Sequence, residues 1–101
     1  MNVSLEPEAK QDLAELEEKL SEEIILQLEG LRQDPLPDNS YVIQLPDGTE
    51  IQCLKLQEED RNSELNHSIT YDIENKEVRI YGVFNGRPGY QKIKQKTQDR
   101  K

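Results

Sequence analysis

The side chains able to do chemistry are few. His67 is the one histidine and Cys53 the one cysteine. A single thiol cannot close an internal disulfide, and one imidazole with one thiol cannot build a Cys/His zinc site. No GKS/T phosphate loop, GxGxxG or GxSxG occurs, so nucleotide, dinucleotide and serine-hydrolase chemistries have no signature here. The expectation is that no metal and no cofactor is used. What remains is positive charge with phenols: Lys55, Arg79, Tyr81, Arg87, Tyr90 and Lys92. His67 titrates near neutrality and is a candidate acid or base, but its strand parity puts it on the core side. Cys53 has no cation close in sequence to stabilise a thiolate and reads as a small hydrophobe.

Positive charge is the exception in this chain, whose net charge is -8 over 101 residues. Residues 1–34 carry ten acids and three bases, residues 35–75 nine and two, and residues 76–101 two and eight. The last quarter is therefore a basic element on an acidic body, the charge that a nucleic-acid partner requires and an overall isoelectric point near 4.6 conceals. No apolar run approaches the roughly 20 residues of a transmembrane helix, and the start MNVSLEPEAK has neither a basic nor an apolar leader. With one cysteine, the expectation is a soluble protein of the reducing cytoplasm.

Folding a chain of 11.8 kDa buries roughly 65% of its unfolded surface, enough for one core and no more. After a short extended start, Val3 to Leu5, Pro7 opens a helix, EAKQDLAELEEKL, with Leu13, Leu16 and Leu20 on one face. Ser21 is a plausible N-cap for a second helix with the stripe Ile24, Ile25, Leu28 and Leu31. One unbroken helix from about Pro7 to Gln33 is the rival to this helical hairpin. Asp34-Pro35-Leu36-Pro37 ends it either way.

The period then changes from 3.6 to 2. Tyr41 to Leu45 and Glu50 to Leu56 flank the turn Pro46-Asp47-Gly48-Thr49, and His67 to Ile73 and Glu77 to Phe84 flank Glu74-Asn75-Lys76. No strand is followed by a crossover helix leading to its neighbour, so the expectation is an α+β fold: an antiparallel sheet of about four strands with both helices on one face. Parity assigns Ile69, Tyr71, Ile73, Val78, Ile80, Phe84, Leu54 and Leu56 to the helix side. It leaves Ile51, Cys53, Lys55, Ser68, Thr70, Asp72, Arg79, Tyr81 and Val83 on an open face. Lys55, Arg79 and Tyr81 meet there beside the loop Asn85-Gly86-Arg87-Pro88-Gly89-Tyr90.

In order and local sequence these elements resemble the RelE/ParE superfamily of small bacterial and archaeal toxins. The segments that carry the likeness are EAKQDLAEL, IILQLEGLRQDP, IQCLKL, HSITYDI and VRIYGVFNGRPGYQKI. The resemblance implies a single RelE/ParE-like domain over residues 1–93, a basic flexible tail over 94–101, a cognate antitoxin as partner, and ribosome-dependent, metal-independent cleavage of mRNA. By position it implies Lys55, Arg87 and Tyr90 as catalytic residues, with Arg79, Tyr81 and Lys92 contacting RNA. Ser68 and Cys53 stand where the family usually has cations. The same scaffold without nuclease residues would suit a ParE-like inhibitor of DNA gyrase, or a non-toxic interaction protein, which the acidic body suits. The antitoxin is expected across the helices or the cationic face.

Overall fold

The computed structural model describes residues 1–57 and 66–86. The elements are β1 (Asn2–Leu5), α1 (Pro7–Ala14), α2 (Glu18–Gly30), β2 (Ser40–Gln44), β3 (Glu50–Gln57), β4 (Asn66–Glu74) and β5 (Glu77–Asn85). They form one sheet in the order β1-β5-β4-β3-β2 with two helices, an α+β fold as expected. The sheet has five strands rather than about four. The extra one is the extended start, which pairs with β5 in parallel, Val3 opposite Val78 and Leu5 opposite Ile80. Four residues are too few for alternation to declare a strand, and β1 pairs with the last strand in the chain rather than the next.

The helices are separate, and the break lies at residues 15–17. Ser21 is not a cap: its N–H donates to the Glu17 carbonyl at 2.9 Å, inside α2. Leu20 and Ile24 are one helical step apart and both pack into the core, so the helix runs through the serine between them. Ala9, Leu13, Ile24, Leu28 and Leu31 meet Leu54, Leu56, Ile69, Tyr71, Val78, Ile80 and Val83 in the main core, all from one face of the sheet. The Tyr71 hydroxyl, inside this core, donates to the Pro35 carbonyl at 2.8 Å and so fixes the proline segment that leads into β2.

One register shift corrects the parity expected for β5. Tyr71 pairs with Ile80 but Thr70 pairs with Gly82, so Tyr81 is an extra residue, a β-bulge. Beyond it every side chain changes face: Val83 enters the helix-side core and Phe84 turns to the other face. There Phe84, Ile51 and Leu45 form a second buried cluster, with Ile43 and Tyr81 packed against it. Cys53 and Thr70, on that same face, are fully buried. The face expected to be open is thus apolar at its centre, where burying a side chain of the size of Phe84 contributes about 2–3 kcal/mol.

α1 holds the bulged stretch in place. β1 ends opposite Ile80, whose carbonyl accepts from the Glu6 N–H at 3.0 Å. Past that point the Val83 N–H has no strand beside it, and the Asp12 carboxylate of α1 accepts it at 3.0 Å. Leaving such a half-buried donor unpaired would cost about 1–3 kcal/mol.

The β4–β5 turn is made by Asn75 and Lys76, both left-handed at φ 53° and 62°. This is the two-residue turn whose twist matches a hairpin, and asparagine tolerates it far better than lysine. Lys76→Gly should therefore raise the unfolding free energy by about 0.5–1 kcal/mol and the thermal midpoint by a few degrees. Urea denaturation checks this. An unchanged or lowered midpoint would contradict the left-handed backbone at Lys76.

Candidate functional site

Pairing across β3, β4 and β5 sorts the face opposite the helices into rows. Lys55 lies opposite Ser68, and Ser68 opposite Phe84. Tyr41, Cys53, Thr70 and Gly82 form the next row, and Asp72, Arg79 and Ser4 another towards the far end.

Lys55 is exposed, just beyond the end of β2. Its backbone is clamped by Asn39: the Lys55 N–H donates to the Asn39 carbonyl at 3.0 Å, and Asn39 Nδ2 donates to the Lys55 carbonyl at 2.9 Å. The lysine therefore stands on rigid backbone with its ammonium free to swing.

Ser68 is buried, and its hydroxyl donates to the Gly86 carbonyl at 2.7 Å. The Gly86 N–H in turn donates to the Asn66 carbonyl at 2.7 Å, and Gly86 has a φ of 71°, the left-handed conformation that glycine adopts without a steric cost. Where an arginine might have stood, a small hydroxyl instead pins the chain as it leaves β5. The start of the 87–90 segment is thereby anchored at the Lys55 end of the sheet. Arg87, Tyr90 and Lys92 themselves lie outside the described residues.

Arg79 is not brought to that end. Counting strand positions from Phe84 to Arg79 with the bulge removed gives about 13 Å. Its Nε lies 3.4 Å from Glu77 Oε1 and 3.7 Å from Glu6 Oε1, and the Ser4 hydroxyl donates to the same Glu77 oxygen at 2.9 Å. The hydrogen bond from Glu77, with its negative charge, holds the guanidinium above its ordinary pKa. At 37% side-chain exposure such pairs contribute about 0.5 kcal/mol each, so their main effect is to direct the cation. Tyr81, half-buried as the bulge residue, packs on the Leu45, Ile51 and Phe84 cluster. The two described cations of the expected site therefore stand apart, with apolar side chains between them.

His67 lies on the helix side, opposite Leu56 and Asn85, as its parity implies. It is 3% exposed; Nδ1 accepts from the Asn66 N–H at 3.2 Å, and Nε2 has no hydrogen-bond partner among the described residues. Cys53 is fully buried beneath the outer face. Among the described residues no three His, Cys, Asp or Glu side chains are grouped to hold a metal ion, and no helix is long and apolar enough to cross a membrane.

The sequence reading missed the groups that build this end of the sheet: Asn39, Asn66 and the Ser68 hydroxyl. Nothing in a single polar residue announces a hydrogen bond to backbone eighteen positions away.

No protein-family model and no curated protein sequence matches the chain. Solved structures do. A free form of the E. coli toxin RelE, carrying two arginine-to-alanine changes, superposes with a TM-score of 0.66 at 15% identity, over 98% of this chain and 95% of that one. The fold is that of RelE. The isolated E. coli RelE toxin gives 0.60 at 15% identity over 98% and 96% of the two chains. The intact E. coli RelBE toxin–antitoxin complex gives 0.61 at 16% identity over 86% of this chain and 98% of that one. The RelE fold is thus shared along nearly the whole length of both chains while few residues coincide.

Burial lowers the His67 pKa below its ordinary value of 6.5, because desolvation disfavours the imidazolium. The unfolded chain then binds the proton more readily, so stability is fully present above about pH 6.5 and falls as the pH drops through that value. Unfolding free energies measured between pH 7.5 and 5.5 should decline in the natural chain and decline less in His67→Gln. Equal slopes would show that the imidazole is solvated in the folded state.

Proposed function

We propose that this chain is the toxin-type member of a toxin–antitoxin pair and that it cleaves ribosome-bound mRNA in the cytoplasm without a metal ion. The observation that carries this reading is the likeness to RelE over 98% of this chain and 95% of the other. The antitoxin partner is supported by the RelBE complex among the matching structures. In this reading Lys55, Arg87 and Tyr90 do the chemistry, while Arg79, Tyr81 and Lys92 guide the RNA. A base removes the proton of a ribose 2′-OH, the 2′-oxygen attacks the adjacent phosphorus, and the bond to the 5′-oxygen breaks as that oxygen takes up a proton. Lys55 supplies positive charge or the base, Arg87 neutralises the pentavalent phosphate, and Tyr90 places or protonates the leaving oxygen. The exposed Lys55, fixed at its backbone by Asn39 in the row of Ser68, suits this role.

A second reading is an interaction protein that keeps the RelE fold and the partner without cleavage. Arg79 favours it: the guanidinium faces Glu77 and Glu6, and with a net charge of -8 the chain has little cationic surface for RNA.

Induction in a bacterial host, with protein and DNA synthesis labelled separately, tests the proposal. Protein synthesis should stop with mRNA cleaved on ribosomes, EDTA should not protect RNA in a purified translation system, and Arg87→Ala should cut the rate roughly a hundredfold to a thousandfold. Its thermal midpoint should stay within a few degrees of the natural chain. Undisturbed translation and intact mRNA would overturn the cleavage reading. Recovery of a small partner encoded next to this chain would then leave the second.

A further inference from the structure

β2 is an edge strand whose free side is built to be paired. Hydrogen bonds fix which residues face outward: the Lys55 N–H donates to the Asn39 carbonyl and the Leu45 N–H to the Thr49 carbonyl. In an antiparallel pair bonded residues alternate, so Asn39, Tyr41, Ile43 and Leu45 face β3, and Ser40, Val42 and Gln44 turn their backbone groups to the outside. Ser40 satisfies its N–H on the Pro37 carbonyl at 2.9 Å, which leaves Val42 and Gln44 as the open pair of rungs.

The usual protections of a free edge are absent. The strand SYVIQ has no charge, no proline and no bulge, and its Val42 and Tyr41 side chains are 51% and 36% exposed, one on each face. The opposite edge differs: β1 is four residues long, and past its end the β5 backbone is closed by Asp12.

The charge around β2 selects the occupant. From Gln33 to Leu54 there is no lysine or arginine, while Asp34, Asp38, Asp47 and Glu50 are all exposed. Glu50 lies directly across from Gln44. A second copy would set this acidic rim against itself: antiparallel pairing centred on Val42 places Asp38 of one chain beside Pro46 and Asp47 of the other. We propose that the β2 edge binds an extended segment of a partner protein as a sixth strand, one with β-branched residues at its centre and lysines or arginines at its ends. The backbone rungs at Val42 and Gln44 supply the pairing, Val42 and Tyr41 the apolar cover, and the acids the preference for a basic strand. This inference stands apart from the nuclease reading, because it uses none of Lys55, Arg87 or Tyr90.

The test uses the full chain, labelled with nitrogen-15, and a capped nonapeptide, Lys-Lys-Thr-Val-Thr-Val-Thr-Lys-Lys. Saturable shifts of the Val42 and Gln44 amides are expected, with affinity falling at least tenfold between 50 and 500 mM salt as screening grows. A twin with glutamate in place of lysine should bind at least tenfold more weakly. Val42→Pro removes an outward N–H without touching the β3 ladder, so it should weaken binding at least tenfold with the amide spectrum otherwise kept. If that variant does not fold, Val42→Lys, which places a cation on the edge, should have the same effect. The proposal is overturned by an absence of saturable shifts at these amides, by equal binding of the glutamate twin, or by unchanged binding to the folded variant. Concentration-dependent broadening of the same amides without peptide would assign the edge to a second copy instead, and also overturns it.

Discussion

Tyr81 has no partner across the β4–β5 ladder, and the two faces of the sheet take their character from that single inserted residue. Without it Phe84 would point at the helices and Val83 away from them. With it Val83 completes the main core beneath α1, and Phe84 joins Leu45 and Ile51 in a cluster on the far face. The bulge is held from the helix side by the Asp12 carboxylate on the Val83 N–H, and from the strand ahead by the end of β1 at Leu5. An acidic side chain on an amphipathic helix thus does part of the work of a sheet neighbour.

The consequence for function is a partition of charge. The bulge puts apolar side chains at the centre of the face, with Lys55 and the Ser68–Gly86 anchor at one end and Arg79 between carboxylates at the other. A phosphate path over this face would have to run along the Lys55 end, where the chain leaves β5 towards Arg87. The apolar centre also gives the Tyr41 side of β2 a neighbour to pack on, which keeps the edge strand ordered although its outer rungs are open.

Most of the architecture was legible because it rests on periodicity. Leu13, Ile24 and Leu28 announce a helix face by spacing, Ile69 and Tyr71 announce a strand face by alternation, and the turns at residues 46–49 and 74–76 separate hairpins of the expected extent. What alternation cannot report is its own interruption. Gly82 marks a place where a bulge fits, but a strand containing it reads equally well in an unbroken register, and so Phe84 was assigned to the wrong face. β1 was invisible as a strand for another reason: four residues gain their pairing only from β5, more than seventy positions later. Ser21 has the right chemistry for a cap, yet packing of Leu20 and Ile24 overrides that local preference. Of the candidate site, Lys55 stands on the outer face as parity implied, whereas the carboxylates facing Arg79 come from separate segments that no spacing rule connects.

The central claim is that β5 slips by one residue at Tyr81 and thereby builds a two-sided sheet. Cross-strand nuclear Overhauser effects between the backbones of β4 and β5 measure it directly. The structure requires Tyr71 to pair with Ile80, Thr70 with Gly82, and Ile69 with Val83, with Tyr81 opposite no residue of β4. A ladder in which Thr70 opposes Tyr81 and Ile69 opposes Gly82 would contradict it, and with it the second apolar cluster.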